Sequence, residues 1–468
     1  MRKAAWIAGS LLLLGLFGFW QLNSQSPKEV AGNQNSGEYQ LISKINLDNI
    51  EVKSFKTMSF TQEELAFSPD SKYLAVGTEG GTFFLFDLAK GKIAWEKKLG
   101  VGAVTALTFS PDGKQVFLGE KSPEGNLYCF NTNNGQLLWK MSVVQDLGRD
   151  LTKRLLPQIA RLKVDQQGNL YVSALRFVKD GKSTWYESKI YCLNIQDGKT
   201  KWTFPAQGAA DFWANWLAVS PTGDRLAFGT SNYNTTKPYH YPAHLYCLDT
   251  KTGEEIWQKT FPVLPGEKVV TNRYGPNFSL DGKYLALFPS DGRAFFLDQN
   301  GNTLWQKDIC LPQEIQGVTF NSGGRYAYFL GEQIVFGSMN TYNSHNWKEA
   351  TPVEHPNSNT IFAYTPQGEL LWKWKGGGSM EEMAFNDRYL LVPVGRNVQL
   401  EEMEFHGLYL LDYLKKGSLV YRYPTQGPAV GAALAANSRY LACIEAPIQL
   451  DDGVTVVGKH QLHILERR

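Results

Sequence analysis

The sequence predicts an all-β fold: an eight-bladed β-propeller, with seven blades as the main alternative. Three observations point there. A Gly-x-x-x-Trp pattern ends at Trp95, Trp139, Trp202, Trp257, Trp305 and Trp372, and a further copy closes on Tyr421, at steps of 44 to 67 residues. Each repeat holds four short runs of alternating or β-rich residues separated by turn residues, the pattern of stacked antiparallel units. The last repeat runs out before its outermost strand, while a strand-like stretch lies unclaimed ahead of the first.

The second repeat, ALTFSPDGKQVFLGEKSPEGNLYCFNTNNGQLLWKM, shows the elements in order. Its runs are punctuated by SPDG, SPEG and TNNG, which makes a four-stranded meander. The first turn recurs as FSPDS at Phe67, VSPTG at Val219, FSLDG at Phe278 and FNSGG at Phe320. Before the last strand stand DLAKG, NTNNG, NIQDG and DTKTG. There Asp87, Asn131, Asn194 and Asp249 can bond their own backbone, and a glycine accepts positive φ. First strands are expected near Leu65, Leu107, Leu162, Leu217, Pro276, Val318, Met383 and Ala433. The outermost strand then starts from the turn glycine and carries the repeat aromatic, Trp95 through Tyr421, into the gap between sheets. Ile50 to Lys56 would pair with the C-terminal unit and leave no open edge between first and last sheets. One link, VVQDLGRDLTKRLLPQIA, has helical spacing, with Leu147, Leu151 and Leu155 on one face.

Composition bounds the partners. At 468 residues and 43% hydrophobic content the chain can bury a large core, and without Arg2 and Lys3 its basic and acidic residues balance at 45 each. A neutral body gives no electrostatic argument for nucleic acid. The five cysteines, Cys129, Cys192, Cys247, Cys310 and Cys443, are odd in number and widely spaced, so they read as small buried hydrophobes. At the N-terminus, Met-Arg-Lys precedes the uncharged AAWIAGSLLLLGLFGFW, residues 4–20. This is a membrane-targeting helix, read as an uncleaved anchor with a cleaved signal peptide as the alternative. The chain divides into an anchor or signal at 1–22, a polar linker at 23–38 and a propeller at 39–468. The positive-inside rule places the propeller outside the cytoplasm, periplasmic or extracellular, and secreted if the leader is cut.

LDTKTGEEIW, Leu248 to Trp257, resembles the tryptophan-docking repeat of the pyrroloquinoline quinone (PQQ) propeller superfamily, and GKIAW, GQLLW, GKTKW, GNTLW and GELLW are weaker copies. The FSPDG-type turns look more like those of WD-like propellers. The resemblance spans roughly residues 50–468 and implies fold more than function. The superfamily includes alcohol and sugar dehydrogenases and the scaffold lipoprotein of outer-membrane barrel assembly. Its quinoprotein alcohol dehydrogenases carry a vicinal disulfide against the cofactor, whereas no two cysteines here are adjacent. PQQ with calcium is therefore disfavoured, and no haem, zinc-protease, nucleophile-elbow or P-loop motif is present. A non-catalytic scaffold is the expected reading, with a quinoprotein-like enzyme or a cell-wall polysaccharide binder as alternatives.

Topology indicates where binding should occur. Turns after strands one and three share one face and are short. The opposite face collects the inserts after strand two, including residues 176–189, 231–244 and 337–359. Long loops on a rigid ring are where binding residues concentrate. Trp185, Tyr186, Tyr233, Tyr239, His240, Tyr342, His345 and Trp347 lie in these inserts and suit protein or glycan contact. Glu64, Arg161, Trp216 and Glu382 stand at or near the starts of first strands and would ring the channel mouth, as a ligand funnel or as structural ion pairs. Glu381 and Glu382 after GGGSM read as solvated loop carboxylates rather than a base or calcium ligand. The histidines lack metal-ligand spacing. An exported or membrane protein is the expected partner.

Overall fold

The computed structural model describes residues 38–54, 64–100, 102–236, 241–343, 351, 353–397 and 403–468. The segment 4–20, expected to target the membrane, therefore lies outside the described residues, as do Tyr239, His240, His345 and Trp347. Among the described residues no helix is long and apolar enough to cross a membrane.

Asn35–Arg468 is one compact unit built mainly from antiparallel four-stranded meanders, with two small three-stranded sheets beside them. Glu64–Phe67, Tyr73–Gly77, Thr82–Asp87 and Lys92–Lys98 make the first. The second, starting at Ala103–Phe109, and the third, starting at Gln158–Val164, join through the pair Gln158↔Lys121. Later sheets start at Ala218–Val219, Asn277–Phe278, Gly324–Leu330, Ala384–Phe385 and Ala429–Leu434. Each first strand is innermost, and the core lies in apolar layers between neighbouring sheets, such as Phe83, Leu85, Val104, Val116 and Leu118 between the first two.

The repeat aromatic does its work through a β-bulge. In the outer strand the register skips the residue before Trp139, so that Trp139 stands opposite Cys129. The same skip sets Trp202 opposite Cys192 and Trp257 opposite Cys247, which explains the ten-residue spacing between Cys and Trp. A bulge bends the strand and re-aims its side chain. Here it turns the indole toward the next sheet and pushes the skipped residue outward, leaving Leu138, Ile256, Leu304 and Leu371 exposed. The indole then meets the glycine of the following repeat. Gly135, Gly198 and Gly253 have positive φ, and a Cβ on them would lie 2.7, 2.6 and 2.6 Å from the rings of Trp95, Trp139 and Trp202. The ring N–H donates to a carbonyl just before that glycine: Trp95 to Thr132 at 2.8 Å, Trp139 to Ile195 at 2.9 Å and Trp202 to Thr250 at 2.7 Å. Trp257 and Trp305 bond Gln299 and Pro366 in the same way. Trp372 packs over Gly417 but donates to the Gln333 side chain. All five cysteines are buried and unpaired.

Four expectations need correction. The strand completing the last sheet is Tyr39–Asn46, paired antiparallel with Gln461–Arg467, rather than Ile50 to Lys56. Both stretches alternate, but Tyr39 also packs its ring 5.3 Å from Tyr421, whose hydroxyl donates to the Tyr39 carbonyl. Lys53–Ser54 instead forms a short parallel pair with Ile448–Gln449. In the sixth sheet the inner strand is Gly324–Leu330. Val318–Asn321 belongs to a separate small sheet with Gln313–Ile315 and Tyr342–Asn343, so FNSGG is not a turn between first and second strands. The 143–160 link holds one helical turn, Val144–Leu147, stopped at Gly148 with φ 66°. Leu151 beyond it is 57% exposed and does not extend an apolar face. The 176–189 insert is no loop: Asn169–Asp180 and Ser183–Asn194 pair over twelve positions as one long hairpin.

The docking contact predicts an asymmetry among the glycines. Gly91 also has positive φ, but nothing lies within 4 Å of its added Cβ. Gly91→Ala should cost about 1–2 kcal/mol from backbone strain alone. Gly198→Ala should cost about 1–3 kcal/mol more, because its methyl enters the Trp139 ring. Chemical denaturation of the two variants measures the difference; equal losses would reduce these glycines to turn formers.

Candidate functional site

Near the axis the innermost strands bring together residues far apart in the chain. Arg161, on Gln158–Val164, donates from Nη2 to Oε1 of Glu382 at 2.5 Å across 221 residues of sequence. Its guanidinium carbon sits 4.0 Å from the centroid of Trp216, and the Lys163 ammonium lies 5.6 Å from the same ring. Glu64 faces Arg161 and Lys163 electrostatically and, with Glu382 and Met383, lines a cavity of about 260 Å³. The four channel-mouth residues expected from the sequence are thus gathered in one place. Burial would depress the Arg161 guanidinium, but Glu382 and Glu64 outweigh it and push its pKa up. For Lys163, burial and then the neighbouring Arg161 charge bring the pKa down to about 8. A second pair lies alongside: Arg325 binds Glu381 and donates to the Met380 carbonyl at 2.9 Å, with its guanidinium against Tyr274 and Tyr326. Glu381 and Glu382 are therefore anchored ion-pair partners, not solvated loop carboxylates. Arg396 is buried, which lowers its pKa to about 10 despite the opposing pull of Glu381.

The insert residues divide by role. Trp185 and Tyr186 stand on the long hairpin. Trp185 donates to Glu187 at 3.2 Å and bridges through its backbone to Asn234. Tyr186 packs between Phe177, at 5.0 Å, and Trp213, stacked at 4.8 Å with a 14° interplanar angle. Arg273 covers the Trp213 ring at 4.6 Å. Tyr233 packs on Tyr241 at 5.4 Å. Tyr342 is structural: it sits in the small sheet, its hydroxyl reaches the Ser290 carbonyl at 3.4 Å, and burial raises its pKa to about 12. His355 is buried and bonded to Leu311 and Asn357. Among the described residues no group of three or more His, Cys, Asp or Glu could hold a metal.

Sequence reasoning missed Lys163, Arg325, Arg273 and Trp213. Lys163 was within reach, two residues from Arg161 and so on the same strand face. Arg273 and Trp213 lie in links between sheets, with no local pattern to mark them.

A model of the family described as outer membrane protein assembly factor BamB matches residues 20–185 and 186–341. The chain belongs to this PQQ-like family. Solved propellers share the fold at low identity. BamB from Moraxella catarrhalis is 13% identical, with a TM-score of 0.56 over 92% of this chain and 99% of that one. The C-terminal WD40 domain of Sif2 is 13% identical, at 0.57 over 92% and 98%. The quinohemoprotein alcohol dehydrogenase ADHIIG from Pseudomonas putida HK5 is 12% identical, at 0.59 over 92% and 76%. A curated relative, the UBP9-binding protein bun62 of Schizosaccharomyces pombe, is 28% identical over 123 residues, which span 24% of this chain and only 23% of that protein. The family rests on the sequence model, and the solved structures at 12–13% identity show the β-propeller fold.

The lowered Lys163 predicts a pH signature. Its folded pKa, about 8, lies below the ordinary lysine value. The unfolded chain therefore binds the more protons between that pH and about 10, and stability rises with pH across this window. The penalty of the buried charge is fully present below pH 8. Unfolding curves of wild type and Lys163→Met should converge as pH rises from 8 to 10; parallel curves would contradict the assignment.

Proposed function

We propose that this chain is an exported, membrane-tethered, non-catalytic propeller of eight blades that binds protein partners through its insert-bearing face. The observation that carries the reading is the ordered hairpin between Asn169 and Asn194. Its pairing continues from Arg176 to Asp180, beyond the last pair with the preceding strand at Leu175, a length of roughly 17 Å at the usual rise per residue. Its aromatic residues are held by stacking before any partner arrives, which lowers the ordering cost of association. Blade closure does not require such an extension.

The axis supports the same conclusion. In an eight-bladed ring the third and seventh blades stand opposite, so the Arg161–Glu382 pair spans the channel. A flat quinone needs an open aromatic face, whereas the Trp216 indole is 2% exposed and already covered by Arg161. The cysteines are single and buried, and the ion pairs consume the nearby carboxylates. These residues do not fit PQQ with calcium, and we assign the axial cluster a structural role. Export and tethering rest on the uncharged segment 4–20 and on membership of a family described as an outer membrane assembly factor.

Two outcomes test the reading. Replacing residues 177–186 by a tight turn should leave the melting temperature within a few degrees and abolish crosslinked capture of an exported partner, while changes at Asp112 or Asn133 leave capture intact. Capture that survives the hairpin deletion would overturn the face assignment. The protein should also stay with membranes through alkaline extraction; a soluble form beginning near Pro27 would show that the leader is cut.

A further inference from the structure

The stack running Phe177, Tyr186, Trp213, Arg273 ends in a cation. Arg273 is exposed and makes no ion pair among the described residues, and its guanidinium lies over the Trp213 ring. The indole N–H of Trp213 is also buried without an acceptor among the described residues. The buried indole is out of a partner's reach, but the exposed guanidinium is a donor that an oxygen acceptor would complement. The platform beneath is fixed. The Trp213 backbone exchanges two hydrogen bonds with Ser231, at 2.8 and 3.0 Å, and the Ser188 hydroxyl donates to the Phe212 carbonyl at 2.7 Å.

The surrounding charge has the same sign. The hairpin tip reads Lys179-Asp180-Gly181-Lys182, and the Lys153 ammonium donates to the Lys179 carbonyl at 2.9 Å. The link 144–155 and the hairpin 176–190 carry Arg149, Lys153, Arg154, Arg176, Lys179, Lys182 and Lys189 against Asp146, Asp150, Asp180 and Glu187. On a body with balanced charge this is a local cationic edge, and Glu187 and Asp146 are already held by Arg176 and Lys189. Arg149 and Lys153 are likewise paired, with Glu124 and Asp150, so the excess positive charge rests on Arg154, Lys179, Lys182 and Arg273 against Asp180. Aromatic rings bordered by these cations form a surface complementary to an acidic polypeptide bearing apolar side chains.

We propose that this edge docks an acidic segment of a partner protein, with a carboxylate on Arg273 and an adjacent apolar side chain against the Tyr186–Trp213 stack. The proposal rests on the protein-binding reading above and names the chemistry of the partner. Charge complementarity selects this occupant over a neutral glycan or a basic chain. The test uses the exported domain of the full chain and fluorescent twelve-residue peptides in which Glu or Asp alternates with Leu and Phe. Gln/Asn and Lys versions serve as controls, and binding is read by anisotropy at low and physiological salt. The acidic peptide should bind at micromolar concentration and weaken with salt. Arg273→Glu should weaken it at least tenfold and let the Lys peptide bind, and Trp213→Ala should also weaken it. Arg273 is exposed, so an unchanged melting temperature for its variant separates lost binding from lost folding. Equal binding of the Gln/Asn peptide, no binding of the acidic one, or full affinity in Arg273→Glu would overturn the proposal. If the acidic peptide fails while hairpin deletion still abolishes partner capture, the protein-binding reading survives and this inference alone falls.

Discussion

The contact between each repeat tryptophan and the glycine of the next repeat is the constraint on which the molecule depends. It fixes spacing, orientation and identity together. The glycine must have positive φ to turn the chain, and it must lack a Cβ to admit the indole of the preceding sheet. The ring N–H finds a carbonyl in the same turn, so the indole is buried without stranding its donor. One short motif therefore shapes its own sheet and receives its neighbour. The first repeat has no preceding tryptophan, and Gly91 accordingly has empty space before it. There the seam is held by apolar packing, with Ile42, Ile45 and Leu47 against the layer containing Leu74, Val76 and Ile464.

A ring fixed at its rim leaves two regions with freedom to vary. The axis receives one short strand from every sheet and fills with whatever charges they bring. Here those charges are matched: Arg161 with Glu382 and Arg325 with Glu381, flanked by Trp216 and Tyr274. Removing one partner from such a pair would leave a poorly solvated charge behind, so the cluster is held as a unit. The outer end of the third sheet is the opposite case. Its strands continue past the preceding strand and carry half-buried aromatic residues on a rigid support. Rigidity at the axis and an ordered extension at the edge are the two features on which the proposed binding role rests.

The sequence made legible what short-range chemistry controls. The turn glycines, the outer-strand aromatics and the buried cysteines follow from patterns within ten residues. The bulge before each tryptophan was invisible because it is a matter of register, and register is decided by the neighbouring strand. The closing strand was misplaced for a related reason. YQLISKIN and IEVKSFK alternate equally well, and only the contact of Tyr39 with Tyr421, remote in the chain, decides between them. FNSGG imitated a first turn, while the real one in that sheet uses Gly331 between Leu330 and Gln333. Gly148 could have been read as a helix stop, since the leucine spacing on either side of it suggested a continuous face that the structure does not contain. At the axis, Arg161 and Glu382 were placed at one mouth by topology, but their pairing required a three-dimensional ring.

The central claim is that the insert-bearing face, and not the axis or the short-turn face, meets the partner. Site-specific photocrosslinking in intact cells tests it most directly, with a photoreactive residue placed singly at Trp185, Tyr233, Asp112 or Asn133. The account predicts discrete high-mass adducts from Trp185 and Tyr233 and none from Asp112 or Asn133; adducts confined to the latter two would contradict it.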